Sequence, residues 1–95
     1  MPIEIGPVTL PDYPLLLAPM EDVSDPPFRA VCKENGADML YTEFISSEGL
    51  IRDAAVSMKK LDIYGYERPV GVQIFGAKLE SMREAARVVE RTQPD

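Results

Sequence analysis

Leu15, Leu16, Leu17 and Ala18 form a run with no polar face, and Pro19 ends it. A strand solvated on one side alternates polar with apolar residues, so an unbroken run predicts a strand covered on both faces of a parallel sheet. A short acidic loop follows, and Asp25-Pro26 then opens a helix. Asp25 can cap the first turn, and Pro26 occupies the first helical position, where a missing N–H costs nothing. Phe28, Val31 and Cys32, spaced i, i+3, i+4, predict the buried stripe of this helix, and Asn35-Gly36 its end. Such a unit delivers the C-terminal end of a strand, here Pro19-Met20-Glu21, to a site.

The same alternation continues. Met39 to Thr42, reaching Phe44, reads as a second strand, followed by a loop at Ser46-Ser47-Glu48-Gly49. Leu50, Ala54, Met58 and Leu61 recur at helical spacing and predict one helix. Tyr64-Gly65-Tyr66 and Pro69 mark a loop, and Val70 to Phe75 a third strand closed by Gly76. Met82, Ala85, Ala86 and Val89 share one face of a third helix, with Glu80/Arg83, Glu84/Arg87 and Arg87/Glu90 on its solvent side. At the other end, Ile3-Glu4-Ile5 and Val8-Thr9-Leu10 flank Gly6-Pro7 and predict a hairpin within residues 1–13, placed to plug the bottom of a barrel. Residues 14–95 then hold three βα units. Alternation of this kind implies a parallel sheet with right-handed crossovers. Doubly wound sheets and (β/α)₈ barrels both begin this way, and the pattern leaves both open.

Composition narrows the class. Hydrophobic residues make up 45% of the 95, which suits a packed globular protein. Sixteen acidic against ten basic residues give a net charge of -6, which argues against this stretch being a nucleic-acid footprint itself. No apolar run approaches the roughly 18 residues that span a bilayer. Met1-Pro2-Ile3-Glu4-Ile5 has no secretory character, and a single cysteine forms no internal disulfide, so a reducing cytoplasmic location is expected. With no histidine and one cysteine, no transition-metal site is expected.

Three motifs carry a resemblance. Ala18-Pro19-Met20 at a strand end, Ser24-Asp25 with Phe28-Arg29, and Val72-Gln73-Ile74-Phe75-Gly76 as a third strand resemble the opening of the tRNA-dihydrouridine synthases, with the likeness running from about Leu15 to Asp95. The resemblance implies a (β/α)₈ TIM barrel that binds flavin mononucleotide (FMN), and so decides between the two architectures. A complete barrel needs about 250 residues, so residues 1–95 are expected to be its N-terminal part, a partial flavin-binding domain without the remaining strands or the C-terminal RNA-binding domain. The implied reaction is reduction of the C5–C6 bond of uridine in tRNA, with NADPH as the source of reducing power. In that family the residues matching Pro19, Met20 and Gln73 contact FMN, and Glu21 falls in the same cofactor-binding turn, where many members have a small residue. An acid beside the ring would disfavour its reduced anion, so Glu21 is expected to point outward and contribute backbone only.

Each residue also has a plainer reading. Pro19 can be a strand terminator, Met20 core filler, and Gln73 can satisfy itself on neighbouring backbone. A glutamine buried in a strand of Val, Ile and Phe wants a polar partner. Glu43, at the end of the second strand, is either an acid of raised pKa or, as favoured here, a structural acceptor for backbone N–H groups or Arg29. Cys32 reads as core packing. The family's catalytic cysteine belongs to a Gly-Cys-Pro segment after the fourth strand, so no catalytic residue is expected in this chain, and alone it is expected to be inactive. The rival readings are another FMN barrel, of the dihydroorotate dehydrogenase-like kind, and a non-catalytic α/β interaction module.

Overall fold

Three chain segments run parallel and side by side in sequence order. The computed structural model describes residues 1–95. The first segment meets the second at a single parallel bridge, Leu16 to Met39, where Leu17 N–H donates to Met39 O at 2.9 Å. The second pairs with the third in two short ladders. β3 (Leu40–Tyr41) runs parallel to β5 (Val70–Gly71), and β4 (Ile45–Ser46) parallel to β6 (Ile74–Phe75). Between the segments lie α1 (Pro26–Glu34), then α2 (Ser47–Ile51), α3 (Ala55–Lys59) and a 3₁₀ turn (Gly65–Glu67); α4 (Leu79–Glu90) follows the third. The predicted hairpin forms at the start: β1 (Ile3–Ile5) and β2 (Val8–Leu10) pair antiparallel, with Gly6 at φ +56° in the turn. Of the hairpin, Leu10 is buried.

The core lies on one side of the sheet. Ile45, Leu50, Leu61, Ala85 and Val89 form one apolar cluster, against which Met58, Val72, Ile74 and Val88 pack. The second and third segments, α2 and α4 therefore share this side.

Four details of the segments and their connections differ from the sequence reading. Leu15 and Leu16 are 64% and 49% exposed rather than covered on both faces, because within these residues the segment has one neighbour and nothing packs on its far edge. The second and third strands are each interrupted, at Thr42–Phe44 and Val72–Gln73, where the register changes. The helix predicted across Leu50 to Leu61 breaks at Arg52–Ala54, where Asp53 takes a left-handed φ of +52° that no helix accommodates. Ser46, placed in a loop by the sequence, ends β4, and its hydroxyl caps α2 by accepting Gly49 N–H at 3.2 Å.

The helix faces are also rotated from their expected stripes. In α1 the buried residue is Arg29, while Phe28 and Val31 are exposed, because the covered face of this helix is the one turned to the 3₁₀ turn, where Glu67 matches the Arg29 charge. In α4, Ser81, Ala85 and Val89 are buried and Ala86 is exposed. Ser81 is accommodated because its hydroxyl donates to Glu48 of α2. Of the three predicted ion pairs on α4, Glu80–Arg83 and Glu84–Arg87 form, at 3.5 and 2.7 Å. Such exposed pairs contribute little.

Candidate functional site

The register change between the second and third segments is a β-bulge. Three residues separate Tyr41 from Ile45, but only two separate their partners Gly71 and Ile74. The ladder runs regularly through Leu40 N–H to Pro69 O and Thr42 N–H to Gly71 O, at 3.2 and 3.0 Å. The next step uses a side chain instead: Gln73 N–H donates to the Thr42 hydroxyl at 3.2 Å, and the ladder resumes with Ile45 N–H to Gln73 O at 2.9 Å. Bulges of this kind re-aim side chains and recur beside active sites.

Beside this bulge lies an open concavity of about 450 Å³, lined by Pro19, Tyr41, Val72, Gln73 and Ile74. Tyr41 and Gly71 share a face there, since a Cβ on Gly71 would lie 2.6 Å from the Tyr41 ring. Only glycine lets the ring lie over that strand. Val72, Gln73 and Ile74, consecutive across the interruption of the third strand, also line the concavity. The Gln73 side chain is exposed rather than buried and makes no hydrogen bond within the chain, unlike the plainer reading in which it satisfies itself on neighbouring backbone. Its side-chain donor and acceptor are both free.

Of the four residues singled out from the sequence, Pro19 and Gln73 thus meet at one concavity. Met20 follows Pro19 with its side chain 42% exposed, but its backbone is engaged: its N–H donates to Ser24 Oγ at 2.8 Å. Glu21 does not point freely outward as expected. Its carboxylate pairs with Lys60 at 2.8 Å, because the end of α3 brings that ammonium against the turn, 5.4 Å from the centre of the Phe44 ring. The Glu21 side chain is therefore drawn toward α3, away from the Pro19–Gln73 concavity, and its backbone N–H makes no hydrogen bond within the chain. Asp22, the next residue, turns the chain at φ +63°, a left-handed conformation that aspartate tolerates.

Glu43 lines a second concavity of about 390 Å³, together with Asp25, Arg29, Lys59 and Lys60. It makes no hydrogen bond or ion pair within the chain. Arg29, its suggested partner, pairs with Glu67 instead, both side chains being almost wholly buried. Cys32 is half-buried in α1 and lines neither concavity. No group of three or more His, Cys, Asp or Glu side chains could hold a metal ion. No helix is long and apolar enough to cross a membrane.

Thr42 and Glu67 shape this site and were not singled out from the sequence, while Ser24 and Arg29 stood out only as motif residues, without the partners they have here. A serine just before a capping aspartate gives a weak signal for a turn clasp. Nothing local marks Thr42 as a bulge acceptor or joins Arg29 to a glutamate 38 residues away.

The family model for dihydrouridine synthase (Dus) matches residues 16–95. The chain belongs to the dihydrouridine synthase family. It is 39% identical over 85 residues to the tRNA-dihydrouridine synthase B of Pseudomonas aeruginosa, covering 90% of this chain and 25% of that protein. To the protein of the same name in Xanthomonas campestris it is 36% identical over 85 residues, again 90% of this chain and 25% of the other. A protein of Aquifex aeolicus named "Probable tRNA-dihydrouridine synthase" is 37% identical over 77 residues, 81% of this chain and 24% of its own length. The chain spans about a quarter of the length of the curated relatives it matches. The resemblance carried by Ala18-Pro19-Met20 and Val72-Gln73-Ile74 is borne out, and the mixed α/β architecture agrees with a part of such a domain.

Proposed function

We propose that residues 1–95 form the first three βα units and one wall of the FMN pocket in a (β/α)₈ tRNA-dihydrouridine synthase. The observation that carries this reading is the meeting of Pro19 and Gln73 at one open concavity beside the interrupted ladder. Its size falls in the range of small-molecule sites. The donor set suits an isoalloxazine ring: a rigid proline and the exposed Met20 side chain offer apolar contact, and the free Gln73 amide offers both donor and acceptor to a ring edge carrying the same mixture. The unpaired Glu21 N–H adds a further donor. FMN, when bound, supplies the hydride for the uridine C5–C6 bond, and NADPH restores it.

The work of this chain is to hold and orient. Pro19, Met20, Glu21 and Gln73 bind the ring, and Tyr41, lying over Gly71, closes one side of the concavity. The proton for the second uridine carbon comes from a cysteine outside residues 1–95, so these residues bring no catalytic acid. The tRNA substrate is engaged mainly by other parts of the protein, in keeping with the net charge of -6 here. The compartment is the cytoplasm, where tRNA is modified.

The test is the full-length protein bearing this segment. It should purify with, or take up, FMN, and should form dihydrouridine in unmodified tRNA when given NADPH. Failure to bind FMN would overturn the pocket. Flavin binding with turnover of a free pyrimidine but not of tRNA would favour the dihydroorotate dehydrogenase-like reading.

A further inference from the structure

Ser24 clasps both backbone groups of Met20. Its hydroxyl accepts Met20 N–H at 2.8 Å and donates to Met20 O at 3.0 Å, while the backbone N–H groups of Ser24 and Val23 donate to the same carbonyl at 2.9 and 3.1 Å. Ser24 is held in turn. Its carbonyl accepts a hydrogen bond from Arg29 Nη1 at 2.7 Å. The other edge of the guanidinium is fixed by Glu67, whose Oε1 accepts from Nε and Nη2, each at 2.9 Å. The second Glu67 oxygen accepts Tyr64 N–H at 3.2 Å, anchoring the carboxylate to the 3₁₀ turn. A continuous chain of hydrogen bonds thus runs from the entry to β5, through α1, to the turn after the first parallel segment. Ser24, Arg29 and Glu67 are 0%, 2% and 0% exposed.

Stability alone does not account for this arrangement. A buried ion pair brings little net stabilisation, and an apolar pair of similar volume often does as well or better. What a guanidinium adds is direction, since its donors lie in one rigid plane. With Nε and Nη2 committed to Glu67, Nη1 is left aimed at one acceptor, Ser24 O. The turn it steadies contains Asp22 at φ +63°, a backbone state that persists where surrounding contacts over-determine it. The Glu21–Lys60 pair at 2.8 Å holds the far side of the same turn.

The geometry assigns Arg29 and Glu67 the role of positioning residues that act through Ser24 to set the Pro19-Met20-Glu21 turn for the flavin ring. This rests on the FMN reading above. Neither residue lines the Pro19–Gln73 concavity, so their effect is transmitted and not made by contact.

The experiment uses the full-length protein stripped of flavin, with FMN affinity read from quenching of flavin fluorescence and folding read separately from thermal unfolding without flavin. Two variants are compared with wild type: Ser24→Ala, and Arg29→Met combined with Glu67→Leu, which leaves no unpaired charge. Each should unfold cooperatively near the wild-type temperature yet bind FMN about tenfold or more weakly, the loss of roughly one well-placed hydrogen bond, with a shifted visible flavin band. If the double variant does not fold, Ser24→Ala decides. A folded variant that binds FMN with wild-type affinity and an unshifted band overturns the positioning role and leaves the pocket standing. A wild-type protein that binds no FMN overturns both.

Discussion

The hydroxyl oxygen of Thr42 accepts the backbone N–H of Gln73 at 3.2 Å, taking the place of a main-chain carbonyl in the ladder between the second and third segments. Thr42 is 1% exposed. Valine has nearly the same shape but no acceptor, so Thr42→Val orphans a part-buried N–H at a cost of about 1–3 kcal/mol. Thr42→Ser keeps the acceptor and should lose less. Hydrogen exchange locates the effect: the Gln73 amide should exchange faster in the valine variant than in the serine variant. Equal protection in both would show that the hydroxyl is not the partner that matters.

Gln73 separates stability from binding. Its side chain is exposed and unbonded within the chain, so Gln73→Ala should change stability by less than about 0.5 kcal/mol. If the amide reads the flavin edge, the same change should weaken FMN about tenfold. Thermal unfolding without flavin and a fluorescence titration with it measure the two effects. A variant that binds FMN as wild type does would remove Gln73 from the pocket.

How far the sequence carried these conclusions depended on whether each signal was local. The hairpin around Gly6-Pro7, the Asp25 cap of α1 and the order of strands and helices were legible because each is written in neighbouring residues; Asp25 Oδ1 does accept Phe28 N–H, at 3.1 Å. Pro19 and Gln73 were legible as candidates through motif and strand position. The stripe of α1 was not, and that of α4 only at Ala85 and Val89, since a helix buries the face its neighbours cover, and the neighbours of Arg29 and Ser81 are Glu67 and Glu48, far off in sequence. An arginine reads as exposed until its partner is known. The bulge at Thr42 was hidden for the same reason: one extra residue in a strand shows only against the partner strand.

Arg29→Met should be among the most destabilising single changes in this segment. It strands the Glu67 carboxylate, 0% exposed, without its counter-charge, and it leaves Ser24 O without its donor. Breaking a buried pair from one side costs about 3–5 kcal/mol. Adding Glu67→Leu removes the stranded charge and should recover most of that loss. Denaturation of the two single variants and the double variant forms a cycle whose coupling reports the pair. Additive losses would mean that the charges do not interact.

Glu48 gives the segment an acid-sensitive contact between α2 and α4. The hydrogen bond from the Ser81 hydroxyl holds its pKa below the ordinary value of 4.5, helped by Lys78 and Arg52 and opposed by partial desolvation. A folded-state value below the unfolded one means that folding favours the ionised form, so the contribution is fully present above about pH 4.5 and is lost as the pH falls through the lowered value. Glu48→Gln keeps an acceptor for Ser81 but carries no charge. The wild type should therefore be the more stable at neutral pH, and its advantage in unfolding temperature should shrink steadily on acidification below pH 4.5. A difference that stays constant across that range would mean that the Ser81 bond does not depend on the Glu48 charge.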